Sequence, residues 1–183
     1  MTQKRHTQSK AKIKAAITEL LLENNDFSSI TIRQITEKAN INRSTFYLHY
    51  QDKYDLIDKL MHEITDNLRK ELNTNSATVK EGLIHSLTYL QSQQEFIKLI
   101  IGIAPVNFSQ KTRHFISKLI ETTPALFYDI LNPDLLLPKD YMLTTYAASI
   151  ESIYTHWVST DNQASPEEVA NMILTVHRFY APL

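Results

Sequence analysis

The stretch from Thr31 to Lys53, TIRQITEKANINRSTFYLHYQDK, constrains the fold of this chain more than any other segment. Thr31 and Gln34 make a Thr-x-x-Gln capping box, which starts a helix by bonding N–H groups that a first turn leaves unpaired. Ile32, Ile35 and Ala39 follow at helical spacing and give that helix one apolar stripe, leaving Arg33, Glu37 and Lys38 outside. Asn40 ends it. Asn is the residue other than Gly that most readily accepts the left-handed backbone closing a helix, so Ala39-Asn40-Ile41 reads as a turn with Ile41 tucked inward. Asn42, a favoured N-cap, opens the next helix, with Arg43, Ser44, Thr45, Tyr47 and His49 accessible and Phe46 and Tyr50 facing the core. Asp52 caps the helix after that. Two helices joined by a few residues, the second opening with polar side chains able to reach base edges, make a helix-turn-helix.

The remainder reads as helical by exclusion and by periodicity. Two glycines and six prolines in 183 residues, with no runs of alternating β-branched residues, predict an all-α protein with short connections. The absence of cysteine excludes disulfides, thiolate metal sites and cysteine nucleophiles, and fits a reducing cytoplasm. The longest apolar run, Phe96 to Val106, is broken by Lys98 and falls well short of the ~20 residues of a membrane span. The basic start MTQKRHTQSKAK lacks the apolar core and cleavage site of a signal peptide, so a cytoplasmic protein with no membrane association is expected. The net charge of −1 conceals an asymmetry. Residues 1–53 carry nine Lys/Arg against five Asp/Glu, a net of +4, which leaves −5 for the rest. A basic head on an acidic body suits a protein whose amino-terminal part meets a polyanion.

Ile13, Ala16, Ile17, Leu20 and Leu21 predict a first helix from about Thr7 to Asn24; its Lys10, Lys12 and Lys14 suit a solvated face or phosphate contact about equally. Phe27 and Ile30 are expected to plug the core. A long helix runs from Asp52 to about Leu72 on the stripe Leu56, Ile57, Leu60, Met61, Ile64 and Leu68, and Asn73-Thr74-Asn75-Ser76 breaks it. Further helices are expected over Val79–Ser92, Glu95–Ile103, Ser109 to about Ile130 with a kink or break at Pro124, and Tyr141 to about Thr160. Asn132-Pro133-Asp134 and Pro138 bracket a loop. Ser165-Pro166-Glu167-Glu168 starts the last helix with Ser at the N-cap, Pro at the first helical position and acids in the first turn.

This arrangement resembles the TetR family of bacterial transcriptional regulators. Thr31-Ile32-Arg33-Gln34-Ile35 is similar to the family's second helix, Ala39-Asn40-Ile41-Asn42 to its turn, Ser44-Thr45-Phe46-Tyr47-x-His49-Tyr50 to its recognition helix, and Asp52-Lys53-Tyr54-Asp55-Leu56 to the start of its fourth helix. Ile150-Glu151-Ser152-Ile153-Tyr154-x-His156-Trp157, with Ser165-Pro166-Glu167-Glu168, also looks like the end of a Firmicutes branch related to regulators of the dihydroxyacetone kinase operon. The resemblance implies an all-α fold of about nine helices: a three-helix DNA-binding domain over residues 1–53 and a larger helical ligand-binding and dimerisation domain over 54–183.

By that resemblance, the helix starting at Asn42 would lie in the major groove of a double-stranded operator, with Asn42, Arg43, Ser44 and Thr45 near base edges. Arg43 is the best specificity candidate, since a guanidinium can bond bidentately to guanine. Thr31, Arg33, Tyr47, His49 and Lys53 would contact backbone phosphates. The body would bind an unknown small-molecule effector among His62, His85, Tyr89, Phe96, Phe115 and Tyr154. A symmetric four-helix homodimer would form through Ala147, Tyr154, Trp157, Met172, Ile173 and Val176, because two half-sites need a two-fold protein. The histidines form no close i, i+4 pair and no metal site is expected, though Glu81 and His85 have that spacing; no cofactor is called for. There is no glycine-rich phosphate loop and no Ser-His-Asp pattern, so an enzyme is not expected. The expected function is a sequence-specific transcriptional regulator, most simply a repressor released by its ligand. The alternatives are an activator acting with a coactivator protein and a helical interaction protein that does not bind DNA.

Overall fold

The computed structural model describes residues 2–24, 26–73, 78–103, 105–122, 138–160 and 164–180, and among these every regular element is helical. The chain divides into two compact units, Met1–Asp66 and Asn67–Leu183. The first holds α1 (Thr2–Glu23), a 3-10 turn (Phe27–Ser29), α2 (Ile32–Lys38), α3 (Arg43–Tyr47) and most of α4 (Lys53–Asn73). The second holds α5 (Val79–Ser92), α6 (Gln94–Ile103), α7 (Pro105–Thr122), α8 (Lys139–Ser159) and α9 (Pro166–Tyr180).

Caps set the ends of the short helices of the first unit. Thr31 N–H donates to Gln34 Oε1 at 2.8 Å and Gln34 N–H returns to Thr31 Oγ1 at 3.3 Å, which completes the capping box. At the far end Asn40 has φ of 50°, the one positive φ of a non-glycine residue among those described. Asn40 N–H bonds Glu37 O at 3.1 Å and Ile41 N–H bonds Thr36 O at 3.0 Å. These are the two hydrogen bonds of a Schellman closure, in which one left-handed residue satisfies carbonyls that the helix end would strand. Asp52 caps α4 as expected, its carboxylate accepting from Tyr54 N and Asp55 N at 2.8 Å each. Asp55 in turn accepts the Gln51 N–H at 2.8 Å and pairs with Lys59 at 2.9 Å, and these bonds hold its carboxyl below the usual carboxylate range.

Around these caps the apolar stripes meet. Ile13, Ile17, Ile30, Ile35, Phe46 and Leu56 have essentially no exposed surface, and Phe27 and Tyr50 are buried beside them. Burial, with Glu63 and Asp55 nearby, pushes the Tyr50 hydroxyl up to about 12. Ile41 is half-buried, less enclosed than the sequence suggests.

Two helix starts differ from expectation. α1 begins at Thr2, ahead of the apolar period, because a nucleated helix propagates through Gln, Lys and Arg, which have good helix propensity. α7 begins at Pro105 instead of after it, since proline lacks an N–H at a position where none would be bonded. Pro124 and Asn132-Pro133-Asp134 lie outside the described residues, as does the polar segment following Asn73.

In the second unit α8 packs against α6, α7 and α9, and α9 also lies along α5. Ile116 and Ile120 of α7 meet Leu143, Tyr146 and Ala147 of α8, with Val176 of α9 against them. Trp157 Nε1 donates to Ala164 O at 2.9 Å, tying the end of α8 to the residue just before the Ser165 cap. Glu168 closes that cap by accepting from Ser165 N at 2.7 Å, which lowers its carboxyl pKa. The buried Glu151 carboxylate is satisfied by Ser109 Oγ at 2.9 Å, Thr155 Oγ1 at 2.8 Å and the Arg113 guanidinium at 3.3 Å.

The left-handed turn gives a stability test. Asn40→Ala is expected to lower stability by about 1 kcal/mol, because a Cβ without a local polar partner is disfavoured at this φ. Asn40→Gly is expected to match or exceed the parent. Urea midpoints check both, and equal midpoints for Ala and Gly would show that the turn relaxes.

Candidate nucleic-acid interface

α3 is short, and its two sides differ sharply. Phe46, fully buried, packs edge-on against the Tyr47 ring at 5.6 Å and near Tyr50 at 5.5 Å. On the other side Asn42, Arg43, Ser44 and Tyr47 are exposed and Thr45 is half-buried. Asn42 sits at the N-cap position with extended backbone, and its carbonyl accepts from Thr45 N and Phe46 N. Its side chain makes no capping bond, contrary to what its type suggests. Among the described residues, the polar side-chain groups of Asn42, Arg43, Ser44, Thr45 and Tyr47 enter no hydrogen bond or ion pair. They form a polar surface that no other described residue takes up.

Other predicted contact residues have internal duties. Arg33 pairs with Glu37 at 2.7 Å on the exposed face of α2, a hydrogen bond that raises its pKa. Exposed pairs of this kind are weak, so the guanidinium can exchange partners. Thr31 is committed to its cap. His49 is half-buried, with Nε2 2.7 Å from Ser9 Oγ of α1, and its carbonyl accepts from Lys59 Nζ at 3.0 Å. Lys14, expected on an outer face of α1, is half-buried, and that burial lowers its pKa.

Lys53 corrects the sequence reading most directly. Its ammonium donates to the carbonyl oxygens of Phe27 at 2.9 Å, Ser28 at 2.7 Å and Ile30 at 2.8 Å. An ammonium has three donors, and here all three close the end of the 3-10 turn. The same nitrogen lies 4.9 Å from the Phe27 ring centroid. Lys53 braces the start of α4 against the loop before α2, and all three of its donors are engaged there.

The body candidates separate too. His62 and His85 are exposed and do not line an interior; His62 Nδ1 instead contacts Asp58 O at 2.8 Å. Tyr89 is half-buried and its hydroxyl accepts from Asn67 at 3.2 Å. Phe115 is half-buried with the Arg69 guanidinium 5.5 Å from its ring centroid. Phe96 and Tyr154 are buried, and the helices bearing Phe96, Phe115 and Tyr154 are in mutual contact. The buried Tyr154 hydroxyl has no hydrogen-bond partner among the described residues, and burial raises its pKa.

Four of the six interface candidates are core. Ala147, Tyr154, Trp157 and Ile173 are buried within the single chain, and a side chain already out of water has nothing left to bury against a second copy. Val176 packs against the α7–α8 cluster. Met172, 46% exposed, keeps its surface.

A capped helix, a left-handed turn and a short helix with unpaired polar side chains, placed before a helical body, define a helix-turn-helix regulator. Residues 14–60 match the profile of the bacterial regulatory proteins of the tetR family, and residues 77–178 match that of a transcriptional regulator C-terminal region. The chain belongs to the TetR family of bacterial transcriptional regulators, whose members bind DNA operators and typically dimerise. It is 25% identical to the HTH-type transcriptional regulator YxbF of Bacillus subtilis (strain 168), over 94% of this chain and 46% of that protein; it thus spans less than half of that relative's length. A TetR transcriptional regulator from Streptococcus agalactiae 2603V has a similar structure, with a TM-score of 0.71 and 26% identity over 96% of this chain and 97% of the other. The dihydroxyacetone kinase operon activator DhaS shares the fold, with a TM-score of 0.67 and 22% identity over 95% of this chain and 98% of the other. No described helix is long and apolar enough to cross a membrane.

Two outcomes check these placements. Lys53→Met is expected to cost about 1.5–3 kcal/mol of stability in urea unfolding, for lost charged hydrogen bonds. The salt dependence of DNA affinity should keep its slope; a slope reduced by about 1 would instead mark Lys53 as a phosphate contact. Tyr154→Phe is expected to raise stability by about 1 kcal/mol or more, because it removes a buried hydroxyl that nothing satisfies. A lower urea midpoint for Tyr154→Phe would show that the hydroxyl has a partner in solution.

Proposed function

We propose that this chain is a dimeric, sequence-specific repressor that reads an operator through α3 and is released by a small molecule bound in the second unit. The observation that carries the DNA reading is the exposed face of α3. Arg43, Ser44, Thr45 and Asn42 keep their donors and acceptors unpaired on a helix whose other side is locked into the core by Phe46. A guanidinium fork can bond O6 and N7 of guanine together, which separates guanine from the other bases by ~1–3 kcal/mol. Tyr47, 50% exposed, is placed to position the helix by a phosphate contact. The amino-terminal excess of positive charge draws such a surface to DNA.

For the effector, the buried and unpartnered Tyr154 hydroxyl is the remaining polar candidate in the body. A ligand bearing an acceptor for that hydroxyl would gain a hydrogen bond the free protein lacks. The chain's chemistry in this reading is binding, with no catalytic step. A second reading is activation with a coactivator protein, favoured by the likeness to DhaS, whose name gives an operon activator.

Titration of the chain's own promoter region tests the proposal. Affinity is expected to fall by about 10³-fold or more between about 50 and 200 mM salt, as for a protein releasing counterions from several phosphates. The complex should sediment with two chains per operator. Arg43→Ala with Tyr47→Ala should weaken binding by at least about tenfold, matching ~1.4 kcal/mol of lost contact. Unchanged binding by this double variant would overturn the site, and no promoter binding at all would leave the interaction protein as the better reading. A reporter on the bound promoter separates repression from activation by its sign.

A further inference from the structure

Leu48 is 71% exposed, more than any other large apolar side chain among the described residues. It follows Tyr47 directly and keeps right-handed helical angles at the C-cap of α3, its N–H bonding Ser44 O at 3.1 Å. At about 100° per residue, Arg43, Tyr47, Ser44 and Leu48 lie in that order across an arc of about 140°, with Phe46 outside it. Whatever covers Arg43 and Ser44 therefore reaches Leu48 as well.

We infer that Leu48 is a specificity-determining residue that recognises thymine in the operator through its C5-methyl group; this rests on the reading of α3 as the DNA-reading helix. A leucine has no donor or acceptor, so it cannot pair with phosphate or with the polar edge of a base. Taking it out of water is favourable only against apolar atoms. On the floor of the major groove the thymine methyl is the apolar group on offer. Leu48 thus supplies a reading that Arg43, Ser44 and Tyr47 cannot, and it follows one helical turn after Ser44 on the same side.

The test uses the full chain and duplexes selected by it from a random pool. In the enriched site each thymine is replaced in turn by deoxyuridine, which removes the methyl and leaves every hydrogen-bonding group in place. One thymine per half-site is expected to matter. Its replacement should weaken binding about four-fold, the equivalent of ~0.8 kcal/mol for one methyl-sized group, and about fifteen-fold when both half-sites are changed. Leu48→Ala, a substitution on an exposed side chain, should fold as the parent does and bind the thymine and deoxyuridine duplexes equally. A second variant, Leu48→Arg, should shift the selected base at that position away from thymine. Specific binding with no thymine sensitive to demethylation, or the same loss in the parent and in Leu48→Ala, would overturn the inference while leaving the DNA reading intact. Failure of the pool to enrich any sequence would overturn both.

Discussion

The left-handed turn at Asn40 is the constraint on which the first unit depends. α3 is too short to be stable alone, since nucleating a helix fixes several residues before hydrogen bonds accumulate. Its orientation must come from its ends. On one side Asn40 closes α2 through the Glu37 and Thr36 carbonyls and reverses the chain. On the other, Asp52 caps α4, while Lys59 holds the His49 carbonyl and the Asp55 carboxylate. Between these fixed points Phe46 and Tyr50 turn inward, so Arg43, Ser44, Tyr47 and Leu48 turn outward. The exposed face is thus a consequence of backbone geometry and core packing.

The parts of this arrangement that were legible in sequence are those governed by local rules. The Thr31–Gln34 box, the Asn40 turn, the Asp52 cap and the Ser165-Pro166 start each depend on residues within a few positions, and each forms as its chemistry dictates. Lys53 was not legible. A lysine at a helix start looks the same whether it faces a phosphate or turns back to the carbonyls of Phe27, Ser28 and Ile30, and only tertiary structure brings those together. His49 is similar, its partner Ser9 lying forty residues away on α1. The exposed Leu48 was within reach of helical spacing alone, because it lies four residues after Ser44, but its apolar character hides it among core residues.

In the body, what covers an apolar residue depends on helices far apart in sequence. From sequence, Ala147, Tyr154 and Trp157 of α8 are among the candidates for an interface between two copies. α8 buries one side, which carries Leu143, Tyr146, Ala147, Glu151, Tyr154 and Trp157, against α6, α7 and α9, while Tyr141, Thr144, Thr145, Ser152 and His156 on its other side are exposed. Ala147, Tyr154 and Trp157 are accordingly absorbed within the chain, and even Glu151 is accommodated, by Ser109, Thr155 and Arg113. Apolar content sets how much surface must be covered, while topology decides what covers it.

That packing bears on the ligand proposed for the second unit. A core that covers the buried side of α8 and leaves the Tyr154 hydroxyl without a partner among the described residues gains little from staying closed around that atom. A molecule that enters must displace packed side chains, which costs dispersion contacts, and it recovers free energy by satisfying the hydroxyl and by burying its own apolar surface. Binding of this kind is linked to stability: a ligand at about 100 times its Kd stabilises the bound form by ~2.7 kcal/mol. It alters DNA affinity only to the extent that it binds the DNA-competent and DNA-incompetent conformations differently. The same linkage holds for DNA at α3, and any coupling between the two ligands is reciprocal. In the proposed function, recognition rests on side chains exposed on α3, and control rests on the packing around the buried side of α8.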